Sequence, residues 1–81
     1  MAKSPKIKWT VDDEGERTAT VKGIEFKIWR AVQSGRHVFQ LTAYRGRECL
    51  KGMVPYGWHR LKYEVETAEN ILNNKTAARV A

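Results

Sequence analysis

The sequence predicts an α+β fold: an antiparallel β-meander of four to five strands, packed on one face by a C-terminal helix. Apolar and polar residues alternate along most of positions 6–54, broken by short turns rich in Gly and charge. After Pro55 and Gly57 the spacing changes to that of a helix. When the turns are closed as hairpins, the apolar sets of neighbouring strands fall on one face.

Residues 1–5 read as a short basic lead-in. From Lys6 to Val11, Ile7, Trp9 and Val11 point one way and Lys6, Lys8 and Thr10 the other, the pattern of a half-buried strand. Asp12-Asp13-Glu14-Gly15-Glu16 reads as a turn. A second strand follows over Arg17–Val21, with Ala19 and Val21 on one face. Lys22-Gly23 has the length of a two-residue hairpin loop, and its Gly supplies the positive φ such loops require. A third strand over Ile24–Val32 sets Ile24, Phe26 and Ile28 against Glu25, Lys27 and Trp29. Ser34-Gly35 is a second such loop, and a fourth strand runs from Arg36 to Tyr44. Arg45-Gly46-Arg47 turns the chain into a weaker strand over Glu48–Val54.

A helix is expected over 57–74, from the recurrence of Trp58, Leu61, Val65, Ala68 and Leu72, with Asn73-Asn74 as its stop and 75–81 as a tail. The competing reading takes Leu61, Tyr63 and Val65 as an alternating strand, with Thr67 capping a shorter helix behind it.

The turns test one another, because a one-residue slip moves a strand's whole apolar set to the other face. Closing Lys22-Gly23 pairs Val21 with Ile24 and Ala19 with Phe26. Closing Ser34-Gly35 pairs Ile28 with Leu41 and Phe26 with Ala43. A loop over residues 12–16 pairs Trp9 with Ala19 and Ile7 with Val21. One row then reads Trp9, Ala19, Phe26, Ala43, large beside small.

With 81 residues, positions 1–81 form a single domain. A lone cysteine, Cys49, excludes an internal disulfide, and as a free thiol it is expected to be a small buried hydrophobe. No apolar run reaches the ~20 residues of a membrane span, and the N-terminus lacks a signal-peptide core. A cytoplasmic protein with no membrane partner is expected. The net charge of +6 suits an anionic partner, or serves solubility alone.

The residue types argue against catalysis. Cys49, His37 and His59 are the only candidates for a thiol–imidazole pair, and no nucleophile turn surrounds Cys49. Two His and one Cys at wide spacing match no zinc pattern, and the acidic stretch 12–16 lacks the ligand spacing of a calcium loop. The glycine turns are too short to cradle a nucleotide phosphate. A non-enzymatic binding protein without a cofactor is the expectation.

If the helix covers the Trp9/Phe26/Leu41 face, the other face is open. It displays Lys8, Thr20, Glu25 and Tyr44 in one row, Thr10, Thr18, Lys27 and Thr42 in the next, and then Trp29 beside Gln40. Aromatic residues among basic ones on an open sheet make a stacking platform for unpaired bases. The expected site has Trp29 and Tyr44 as stacking or hot-spot residues. Lys6, Lys8, Lys22, Lys27, Arg45, Arg47 and Lys51 supply charge. Its partner is nucleic acid or a nucleoprotein. A host protein is the alternative, and a homodimer through the edge strand at Lys6–Val11 a third reading.

In layout, the Trp9 strand, the GIEFKIW strand (23–29), the FQLTAY strand (39–44) and the YEVETAENIL stretch (63–72) resemble the small accessory proteins of phages and prophages. That group includes anti-CRISPR inhibitors. The resemblance implies a curved antiparallel sheet against one helix, and a role in the host cytoplasm blocking a surface of a nucleoprotein defence enzyme. Many such inhibitors are acidic DNA mimics, and the +6 charge departs from that pattern. Tyr44-Arg45-Gly46-Arg47 also resembles the basic turn leading into a helix in the arm-site DNA-binding domains of phage integrases. Those domains usually adjoin a catalytic domain, which this chain lacks.

Overall fold

Both inner turns carry positive φ at each of their two loop residues, 52° and 79° at Lys22 and Gly23 and 52° and 76° at Ser34 and Gly35. This is the type I′ geometry whose twist matches that of the flanking strands. A computed structural model describes residues 7–76, with side chains as far as Asn73; the lead-in (1–5), Lys6 and residues 77–81 lie outside the described residues. The elements are β1 (Thr10–Val11), β2 (Arg17–Val21), β3 (Ile24–Gln33), β4 (Arg36–Arg45), β5 (Glu48–Lys51) and α1 (Leu61–Thr76). The five strands pair antiparallel in sequence order, a meander.

The registers are those expected from the turns. Val21 faces Ile24 and Ala19 faces Phe26, while Phe26 faces Ala43 and Ile28 faces Leu41. Thr10 faces Thr18, so the first hairpin follows the same alignment. Its acidic tip is an ordered turn: one Asp12 carboxylate oxygen accepts from the backbone N–H of Glu14 and of Glu16, both at 2.9 Å. Strand pairing in β1 is shorter than the expected Lys6–Val11, being confined to Thr10 and Val11. Side chains rather than a ladder hold the residues before it. Ile7 is buried, and Trp9 meets Phe26 edge-on with ring centroids 6.2 Å apart.

The last strand departs furthest from expectation, ending at Lys51 instead of Val54. Tyr44 faces Cys49 and Ala43 faces Lys51, which leaves Leu50 as an extra, bulged residue. The chain then leaves the edge of β4 and returns at His59, whose backbone exchanges two hydrogen bonds of 2.8 Å with Phe39. The steps from Lys51 to His59 outnumber those from Ala43 back to Phe39, so the surplus is thrown out as a loop over 52–57. The bridge at His59 holds its neighbours extended. The helix therefore starts at Leu61 rather than in the Gly57–Trp58 region, and Trp58 drops out of the helical stripe. At the other end it runs past the expected stop at Asn73-Asn74 to Thr76, the last described residue.

Leu61, Tyr63 and Val65 are helical, which sets aside the strand reading of that stretch. The helix lies over β4 and β3. Ala68 and Leu72 are fully buried against Ile24, Phe26, Ile28, Leu41 and Ala43, and Leu61 and Val65 pack at the margin of this core. The helix thus covers one face of the sheet and leaves the other face without a helix. Among the described residues no helix is long and apolar enough to cross a membrane.

Candidate functional site

The face opposite the helix carries its side chains in rows set by the strand register. Thr20, Glu25, Tyr44 and Cys49 lie side by side, and Lys8 is exposed at the end of the row. Thr10, Thr18, Lys27 and Thr42 form the next row, and Trp29 lies beside Gln40. These rows border a shallow depression of about 320 Å³, lined by Thr18, Thr20, Glu25, Lys27, Trp29 and Tyr44 among others.

Trp29 is fixed in this depression. Its indole N–H donates to Thr42 Oγ1 at 3.0 Å, one row across the sheet. The Lys27 ammonium lies 3.7 Å from the ring centroid and 3.5 Å from Glu16 Oε1. The indole is therefore half-buried, with a cation resting on its face. Tyr44 is 41% exposed, and a hydrogen bond to Cys49 is the main reason its phenol is held above its ordinary value. Cys49 itself is exposed, against the expectation of a small buried hydrophobe. The turn at Gly46-Arg47 pairs Arg45 with Glu48 and so sets Cys49 opposite Tyr44 on the open face, before the bulge at Leu50 shifts the register.

Only part of this face is open. Gln40 is fully buried because the 52–57 loop folds back over it, and Thr42, which accepts from the Trp29 indole, is nearly so. The Gln40 amide donates to the Val54 carbonyl at 3.0 Å and accepts from the Val54 N–H at 2.7 Å, giving the loop a substitute for a strand partner. Gly57 passes so close that a Cβ there would lie 2.6 Å from Gln40 Oε1 and 2.5 Å from Val54 Cγ2.

The expected basic residues divide. Lys8, Lys22 and Arg47 are exposed and make no ion pair among the described residues, whereas Lys27 is engaged with Glu16 and Trp29. Arg45 faces Ile24, which puts it in register with the helix-covered side, and it pairs with Glu48 at 2.8 Å. Lys51 is half-buried and donates to the Leu41 carbonyl at 3.1 Å. Lys6 lies outside the described residues. The open face is therefore less basic than the composition implies: its unpaired positive charge sits at the Lys22 and Arg47 turns and at Lys8, and the exposed Glu25 carboxylate lines the depression.

The sequence reading missed Glu64. This carboxylate is fully buried, accepting from the Leu41 N–H at 3.0 Å with one oxygen and meeting His59 Nδ1 at 2.8 Å with the other. Leu41 lies in the gap between β5 and the His59 bridge, so its outward N–H and C=O lack a neighbouring strand. Glu64 and Lys51 satisfy them. A signal was present: Glu64 lies three residues after Leu61 and four before Ala68, on the stripe that packs on the sheet.

His59 also stacks obliquely on Tyr63, with centroids 4.3 Å apart, beside an open depression that Arg60 and Lys62 help to line. Neither histidine is near the thiol along the sheet. His37 is seven residues from Tyr44, about 23 Å of strand, and His59 is level with Phe39, about 16 Å away. Compared with known proteins, the chain matches no family model and gives no significant match to a curated protein or a solved structure.

Proposed function

We propose that this chain is a non-enzymatic binding module that takes unpaired nucleic acid, free or within a nucleoprotein, on the open half of its sheet. The observation that carries the reading is Trp29. A large aromatic ring is fixed by Thr42 in a shallow depression, with Tyr44 on the same wall and a lysine already on its face.

Magnitudes favour an exchange at that ring. A cation on a partly exposed aromatic is worth about 0.5–1 kcal/mol, and a stacked base about 1–3 kcal/mol. A base that displaces the Lys27 ammonium therefore gains on balance, and the released ammonium is placed to meet the adjoining phosphate. Lys8, Lys22 and Arg47, exposed and unpaired among the described residues, extend the contact towards the Tyr44 end of the sheet.

Titration with labelled single- and double-stranded oligonucleotides tests this. With three or four phosphates contacted, log affinity should fall against log salt with a slope between about −2 and −3 for single strands. Trp29→Ala should weaken binding about tenfold or more without altering that slope, because stacking is lost and charge is kept. Absence of binding to either form at low salt would remove this reading. It would leave the phage-type inhibitor, for which nuclease-treated host lysate should yield one stoichiometric protein partner.

A further inference from the structure

The depression that holds Trp29 has a single carboxylate in its lining among the described residues, that of Glu25. Glu25 is exposed, and its side chain makes no ion pair there. Lys27, two residues on along the same face, turns instead to Glu16 and to the Trp29 ring. On a surface that meets phosphates, an unpaired carboxylate repels. Its oxygens are acceptors only, so the partner it can recognise is one that brings donors.

Register sets its distance from the ring. Trp29 lies opposite Gln40, but its indole N–H bonds to Thr42, the partner of Lys27, and the Lys27 ammonium rests on its face. The ring therefore leans back over the Lys27–Thr42 row. The Glu25–Tyr44 row is the next one, two residues along β3 or about 7 Å of strand. A glutamate side chain and the edge of a stacked base together span that gap.

We propose that Glu25 reads guanine in the unpaired strand, accepting from the N1–H and the N2 amino group of a base stacked on Trp29. The inference rests on the nucleic-acid reading of this face, and the selection is chemical. A carboxylate offers two acceptor oxygens side by side, the arrangement that takes two parallel N–H donors from an arginine fork. On its Watson–Crick edge guanine carries two such adjacent donors. Adenine and cytosine each present one amino group beside a ring-nitrogen acceptor, and thymine and uracil present one N–H between two carbonyls. Each of these bases sets an acceptor against a carboxylate oxygen, which leaves that oxygen unpaired.

Titration with thymine tracts carrying one central guanine, hypoxanthine, adenine or cytosine tests the proposal, and a lone guanine avoids the folded forms of guanine runs. The guanine tract should bind about tenfold tighter than the adenine and cytosine tracts. Hypoxanthine, which keeps N1–H and lacks the N2 amino group, should fall between them. Glu25→Gln, at an exposed strand position, should abolish the lead of guanine while leaving the salt dependence unchanged. Native affinities within about twofold of one another across the four tracts would overturn the inference and leave the nucleic-acid reading standing. A guanine preference that survives Glu25→Gln would do the same. Failure to bind any tract at low salt removes the nucleic-acid reading, and this inference with it.

Discussion

Replacing Glu64 with alanine isolates the most consequential contact in the fold. The native carboxylate is fully buried and holds the Leu41 N–H, which has no strand beside it. Without Glu64 that donor is left buried and unpaired, at a cost of about 1–3 kcal/mol. The lost packing of the side chain adds roughly 1 kcal/mol. His59 contributes little to the loss, because its side chain is 44% exposed and water can replace the carboxylate. The expected destabilisation is therefore about 2–4 kcal/mol, a large part of the ~4–12 kcal/mol typical for a domain of this size. The melting temperature should fall by roughly 10–30 °C. Glu64→Gln is the control: its amide oxygen still accepts from Leu41 and its NH₂ can donate to His59, so its loss should stay near 1 kcal/mol. Urea denaturation followed by tryptophan fluorescence and far-UV circular dichroism measures both. An alanine variant within about 0.5 kcal/mol of the native chain, or a glutamine variant as damaged as the alanine one, would refute the reasoning.

Gly57→Ala should cost about 1–3 kcal/mol, because its Cβ would strike Gln40 Oε1 and Val54 Cγ2; an unchanged thermal transition would show that the loop yields freely. Ser34→Asn should stabilise by about 0.5–1 kcal/mol, since asparagine tolerates the φ of 52° better than serine in a type I′ loop; denaturant midpoints decide the sign. Tyr44 should ionise above its ordinary value of 10.0, with Cys49→Ala lowering the midpoint in an NMR titration of the tyrosine rings. Its folded-state value is raised, so the contribution to stability is present below the ordinary tyrosine range and is lost as pH rises through the raised value. If Cys49→Ala leaves the titration unmoved, the thiol is not the cause.

The parts of this fold that could be read from sequence are those with redundant local signals. Residues at the two inner turns leave one plausible loop each, and period-2 alternation in the strands they join confirms the register independently, so Phe26 meets both Ala19 and Ala43 as expected. The stretch after Lys51 carries no such redundancy. Gly52, Pro55 and Gly57 mark an interruption, but nothing local says that Gln40, twelve residues and more away, takes over the hydrogen bonds of Val54. The helix start fails for the same reason. Trp58 has the right spacing for the stripe, yet a non-local bridge from His59 to Phe39 holds it extended. In the candidate site, Trp29 and Tyr44 were located because register alone decides their face. Arg45 and Lys51 were grouped with them by charge, whereas alternation and a bulge send them elsewhere.

These outcomes meet at two adjacent residues of β4. The side chain of Gln40 holds the 52–57 loop on the open face, while the backbone of Leu41 receives Glu64 from the helix and Lys51 from the end of β5. A continuous β5 would have satisfied Leu41 with backbone groups and left no loop. The interrupted strand instead needs a buried carboxylate, a buried amide and a lysine, each satisfied only when helix, loop and sheet are docked together. Such an arrangement couples the elements. Loss of Glu64 should loosen the helix and the Met53–Tyr56 loop in concert, while the two hairpins flanking Phe26 retain their pairing. Amide hydrogen exchange on Glu64→Ala can separate these regions, because a fall in protection confined to the helix would mean that Gln40 holds the loop independently.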